Sequence, residues 1–287
     1  MATMISQKNA LLFTAATGFG YGLQFMPELP SASTDRANAF GELTELPLRA
    51  FAQPMMKYYG LKSTVISDFM MHATGIMLLT SMVALVYVAR TQSEPTLHRF
   101  TFAQMIGCFS RITVMSCHGA KSRIGGLQVT KELAMGSKVG LLTFILLAES
   151  QRGTTRLTPM RNFITDSKTV KQKIIAASLL MELYYMLMLH FGDATVAGWF
   201  SSKIKATDYI AIHWTATIGF LRWMGTMKMF TILPEESLGT VAKFHAVDNL
   251  MNLYMMRKHA AAFKAAEFTK HFTMGVARLG ATLFAAM

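Results

Sequence analysis

From Phe69 to Ala89 the chain runs 21 residues without an Asp, Glu, Lys or Arg. About 20 apolar residues in a helix span the hydrocarbon core of a bilayer. Helices and closed barrels alone satisfy their backbone polar groups in lipid. A stretch this long and uninterrupted therefore predicts a membrane helix. Composition agrees, because 52% of the 287 residues are hydrophobic and 15% are charged, against about 25% charged in a soluble domain. The expectation is an all-α, multi-pass integral membrane protein.

Eight apolar segments of helical length follow, near 8–26, 66–90, 101–119, 133–149, 172–192, 208–232, 242–260 and 271–286. The first is interrupted by "GFGYG", the sixth carries Arg222 and the seventh Asp248. Such spans tilt or are covered by protein, so six to eight transmembrane helices are expected. Gly18, Gly20 and Gly22 suit close helix packing rather than phosphate binding. The loop from Pro27 to Val65 holds early turn signals and an amphipathic piece around Leu43, Leu46, Leu48 and Phe51.

The net charge is +12. Much of it lies in connections, with Arg152, Arg156, Arg161, Lys168, Lys171 and Lys173 sharing one loop. In a membrane protein that pattern reads as attraction to anionic headgroups, cardiolipin among them, and to acidic partner surfaces. Nucleic acid is disfavoured as a partner, because no stacking or base-reading motif accompanies the charge. Cys108 and Cys117 sit nine residues apart in one apolar segment. That is about 13 Å of helix rise, too far for a disulfide. The chain has no N-x-[ST] sequon, which disfavours a secretory lumen.

Sliding the chain by 141 residues superposes Lys62 on Lys203, His72 on His213, Thr74 on Thr215, Glu94 on Glu235 and Leu97 on Leu238. The same shift superposes Met115 on Met256, His118 on His259 and Ala120 on Ala261. Two fused four-helix repeats are expected: 1–150, containing the long 27–65 loop, and 172–287, joined by a basic linker over 151–171. An even helix count gives both copies one orientation, so they are parallel repeats about an axis along the membrane normal. The strings "GFGYGLQFMPE", "YYGLKS" and "DFMMHATGIMLL" within residues 11–89 resemble the DoxX-like family of small four-helix membrane proteins, here as a tandem duplication. That resemblance implies a fold and no catalytic motif, and the long insertion from Pro30 to Arg49 departs from the family's compact pattern.

His72 lies near the start of the second segment and His118 near the end of the third. Antiparallel helices bring both to one membrane face, and the repeat adds His213 and His259. Two imidazoles on facing helices are the ligand set of a bis-His haem or of another metal. Against this stands the plainer reading, interfacial histidines bonded to backbone or lipid, and no cofactor is expected on that reading. Glu182, Arg111, Arg222 and Asp248 lie within apolar segments. Ionisable residues in that setting pair with one another or line a substrate cavity. Metalloprotease, nucleophile-elbow and nucleotide-loop motifs are lacking, and so is the triplicated signature of mitochondrial carriers. The 24 methionines read as gap-fillers against lipid or neighbouring subunits.

The function expected from these features is a non-catalytic accessory or scaffold subunit of a large energy-transducing complex, of respiratory or ATP-synthase type. Its partners would be other membrane subunits and anionic lipid, and its place the mitochondrial inner membrane. The alternatives are a transporter with a central cavity between repeats, and a haem protein using the four histidines.

Overall fold

A computed structural model describes residues 5–23, 25, 64–105, 141–151 and 165–287. Its regular elements are all helical: α1 (Gln7–Leu23), α2 (Val65–Thr91), α3 (Val170–Phe191), α4 (Asp193–Trp199), α5 (Ala206–Ile232), α6 (Leu238–Lys258) and α7 (Ala265–Ala286). Residues 94–105 and 141–149 are helical too. Short 3-10 turns, Glu235–Ser237 and Ala260–Ala262, precede α6 and α7.

The helix starts are written locally. Thr64 caps α2, its Oγ1 accepting from the Ser67 N–H at 3.1 Å while the Ser67 hydroxyl accepts from the Thr64 N–H at 2.7 Å. Thr169 and Gln172 form the same reciprocal box at the start of α3. Each box satisfies N–H groups that a first turn leaves without partners. Two helices, α2 and α3, are long and apolar enough to cross a membrane, with mean hydropathy 1.8 and 1.7 in their most apolar stretches. The 27-residue α5 is as long as α2 but carries Asp208, Arg222 and Lys228.

Helices α2 and α5 pack side by side, α1 lies against α2, and α3 lies against α5. Helix α6 packs on α2, and α7 covers α6 and α3. The α2–α5 pair runs parallel. Thr64, just before α2, bonds Asp208 in the first turn of α5, and further along Thr74 and Thr215 share a hydrogen bond of 2.9 Å. Both helices hold 27 residues and their first residues, Val65 and Ala206, stand 141 apart, the separation of Thr74 from Thr215 as well.

The apolar residues collect in two cores at opposite ends of the bundle. One joins Met70, Met71 and Met77 of α2, Met186 and Leu189 of α3, and the first half of α5. The other joins Ala84, Leu85, Val88 and Ala89 of α2, Ile175 and Leu179 of α3, and Met229, Phe230 and Ile232 of α5 with Leu233 just after it. Glu182 of α3 and Arg222 of α5 fall between the two. The bundle is thus layered along its axis: apolar, ionic, apolar.

Three outcomes differ from the sequence expectations. The helix after α2 begins at residue 94, not 101, and the last begins at Ala265, not 271. The short α4 is additional, formed where Gly192 ends α3 and Asp193 opens a new first turn. Its C-terminal end is tied to the α6–α7 connection by Lys264 N–H to Trp199 O, 3.0 Å, and Ser201 N–H to Ala262 O, 2.9 Å. The amphipathic piece at Leu43–Phe51, both cysteines and Arg111 lie outside the described residues.

Candidate functional site: a buried ion cluster beside a cavity

Four helices each send one charged side chain to the same point. Arg222 bridges Glu182 through Nη2 and Asp248 through Nη1. Arg278 of α7 donates to Glu182 Oε2 at 3.0 Å and, through Nε, to Ser178 Oγ at 2.7 Å. Asp248 also accepts from Thr80 Oγ1 of α2 at 3.0 Å and from Asn252 Nδ2 at 3.1 Å. His245 Nε2 stands 3.7 Å from Glu182 Oε2. With that imidazole neutral, two guanidiniums balance two carboxylates.

Burial makes the pairing obligatory. The side chains of Glu182, Asp248 and Arg222 are 2%, 3% and 7% exposed. An isolated charge taken out of water costs several kcal/mol even after relaxation. A cluster of alternating sign with hydroxyl and amide partners is how such charges persist inside apolar helices. Arg278, at 13%, is the most exposed of the four, and its Nη1 has no partner among the described residues.

What exposes it is a cavity of about 180 Å³. Arg222, Arg278, Glu182, Asn249 and Asn252 line one side of it, while the remaining wall is mostly methionine and aromatic. Asn249 is held by a 3.2 Å bond to Thr282. The Tyr185 hydroxyl reaches His271 Nδ1 at 2.9 Å, and the Trp199 ring stands 4.8 Å from that imidazole. Tyr185, Trp199 and His271 all belong to the lining.

The histidines arrange themselves differently from the pattern of equal positions. His72 and His213 are buried on α2 and α5, and His259 caps the end of α6. His72 Nδ1 lies 2.8 Å from His259 Nε2, a hydrogen bond across the two halves of the chain. Two nitrogens held trans on one metal at about 2.0–2.1 Å each stand about 4 Å apart, farther than this pair. His118 lies outside the described residues. Among the described residues, no group of three or more His, Cys, Asp or Glu is placed to hold a metal.

Of the basic loop, Lys168, Lys171 and Lys173 are exposed around the start of α3, whereas Arg152, Arg156 and Arg161 lie outside the described residues. Glu182, Arg222 and Asp248, suspected singly from sequence, are brought together. Arg278, His245, Ser178, Thr80 and the two asparagines were not anticipated. A signal for some of them exists: His245, Asp248, Asn249 and Asn252 repeat at i, i+3, i+4 and i+7 along α6, a polar stripe on one helical face.

No family model, no curated protein and no solved structure matches this chain. The DoxX-like resemblance therefore rests on its short strings alone.

Proposed function

We propose that this is a polytopic membrane protein that binds a small molecule in the cavity beside the Glu182–Arg222–Asp248–Arg278 cluster, as a carrier or transporter does. One observation carries the reading: charges from four separate helices meet about halfway along α3 and α5 and open onto a cavity instead of closing off. Arg222 lies 16 residues into the 27-residue α5, about 24 Å along a helix about 40 Å long. A purely structural ion pair needs no adjoining space, and small-molecule sites combine an apolar wall with a few convergent polar groups. The equal lengths of α2 and α5, their 141-residue separation and the Thr74–Thr215 bond support two parallel repeats whose interface holds the site. No catalytic step is assigned.

Two experiments bear on it. A sodium carbonate wash should leave the chain in the membrane pellet; release into the supernatant removes the polytopic reading. Native mass spectrometry of the detergent-purified chain should then find a retained small molecule that is absent when Ala73, in the cavity wall, is changed to Phe.

An accessory subunit of a respiratory or ATP-synthase-type complex is the second reading. It is favoured by outward apolar faces, Leu180, Tyr184, Leu187 and Phe191 on α3 with Val247, Leu250 and Tyr254 on α6, which suit lipid or a neighbouring subunit. The mitochondrial inner membrane, with cardiolipin near Lys168, Lys171 and Lys173, belongs to this reading. A chain recovered only within a large assembly, with an empty cavity, favours it.

A further inference from the structure

The composition of the cavity wall narrows what it accepts, given the ligand-binding reading above. The cluster already balances its own charge, with Arg222 and Arg278 against Glu182 and Asp248. An ionised head group would add a buried charge with no counterion, which is the costly case. Arg278 Nη1 has no partner among the described residues and can only donate, because a guanidinium has no acceptor atom, while the amide oxygens of Asn249 and Asn252 in the same lining can accept. An uncharged head that accepts a hydrogen bond from Arg278 suits this wall. A carbonyl is uncharged and accepts, and the carboxylates of Glu182 and Asp248 are already engaged.

Size and wall chemistry specify the rest. A cavity of about 150 Å³ with apolar walls takes up benzene, so about 180 Å³ admits a single six-membered ring, with any longer tail extending outside it. Met70, Met77, Met181, Met186, Met256 and Met274 line the space. Thioethers adapt to irregular shapes and make favourable contacts with ring edges. Trp199 and Phe263 supply aromatic surface in the same lining.

We infer that the cavity binds an uncharged, single-ring amphiphile whose head carries carbonyl oxygens, with one carbonyl accepting from Arg278 Nη1 and the ring among the methionines. Benzoquinones bearing an apolar tail have this chemistry. No electron transfer is implied; the site holds the molecule.

The chain reports on its own cavity, because Trp199 lines it and the sequence has only two other tryptophans, Trp214 and Trp223. Trp214→Phe/Trp223→Phe protein, with the wild-type chain alongside, is purified in mild detergent. Each is titrated with a decyl-substituted 1,4-benzoquinone and, separately, with 9,10-dibromostearate, whose head is anionic. The expected result is saturable quenching of Trp199 by the quinone, about tenfold weaker in Arg278→Lys, which keeps the ion pair but loses the fork. Quenching should be absent in Ala73→Phe, which fills the space. Quinone quenching that neither variant alters is partition into the micelle and overturns the inference. Quenching by dibromostearate alone, lost in Ala73→Phe, overturns the neutral head while leaving the binding site standing. Absence of variant-sensitive quenching by either probe, with no small molecule retained on purification, removes both.

Discussion

At the scale of single residues, the ion cluster shows how a cost becomes a constraint. Changing Arg222 to Met strands Asp248 and weakens the hold on Glu182. A loss of about 3–5 kcal/mol is expected, the range for breaking a buried pair by removing one partner. The Arg222→Met/Asp248→Asn double variant restores balance by leaving Glu182 with Arg278, and should lose distinctly less. Thermal unfolding of the full chain in detergent measures both; equal losses would show that charge pairing is not what holds the layer. A second residue acts through pH. His98, buried in the connection after α2, accepts at Nδ1 from the Gln7 amide at 3.2 Å. Burial first, then the neighbouring Arg99 cation, pushes it below its ordinary value of 6.5. Above 6.5 the imidazole is neutral folded or unfolded. As pH falls below that value the unfolded chain takes up a proton that the folded chain resists, so stability declines. The decline runs from 6.5 down to the depressed folded value. The melting temperature should drop across that window, and His98→Gln should flatten the drop.

Among the elements, the α1–α2 contact depends on glycine. A Cβ at Gly22 would come within 3.1 Å of Leu79 Cδ2 and 3.2 Å of Leu78 Cβ, so the missing side chain is what lets these leucines pack against α1. Gly22→Val should destabilise by about 1–3 kcal/mol through overpacking. Gly18 is a weaker probe, since the obstacle there is the flexible end of Met82. Legibility also differs by element. The limits of α2 and α5 follow within two residues from apolar runs and from the polar residues before them. The short α4 and the early start of α7 did not show in hydropathy, because α4 is seven residues long and the first turn of α7 carries Glu267. Tertiary contacts, Lys264 to Trp199 above all, fix those pieces.

For the whole molecule, the α2–α5 interface is the natural test of a two-part architecture. Thr74 and Thr215 bond each other, and Thr215 also donates to Met70 O at 2.9 Å. A double-mutant cycle with Thr74→Val and Thr215→Val should give a coupling of about 0.6 kcal/mol, the scale of an interhelical hydrogen bond in a membrane protein. A coupling indistinguishable from zero would mean that this hydroxyl pair does not help hold α2 to α5. Helices α5, α6 and α7 each give one charged residue, Arg222, Asp248 and Arg278, to the ionic layer. These charges face inward to one another, and an average over a helix's composition does not report which way they point.

The sequence by itself determined the helical class, the limits of the main helices and the suspicion attached to Glu182, Arg222 and Asp248. Each of these follows from short-range facts: an uncharged run, a cap, an ion where lipid would exclude one. The tertiary structure decided which charges meet. Arg278 joins Glu182 across 96 residues and His72 joins His259 across 187. Such partners are set by the rotation and approach of packed helices, which no local pattern encodes. The cavity is likewise a property of the packing, the space that remains when several helices converge on an ionic layer they cannot fill.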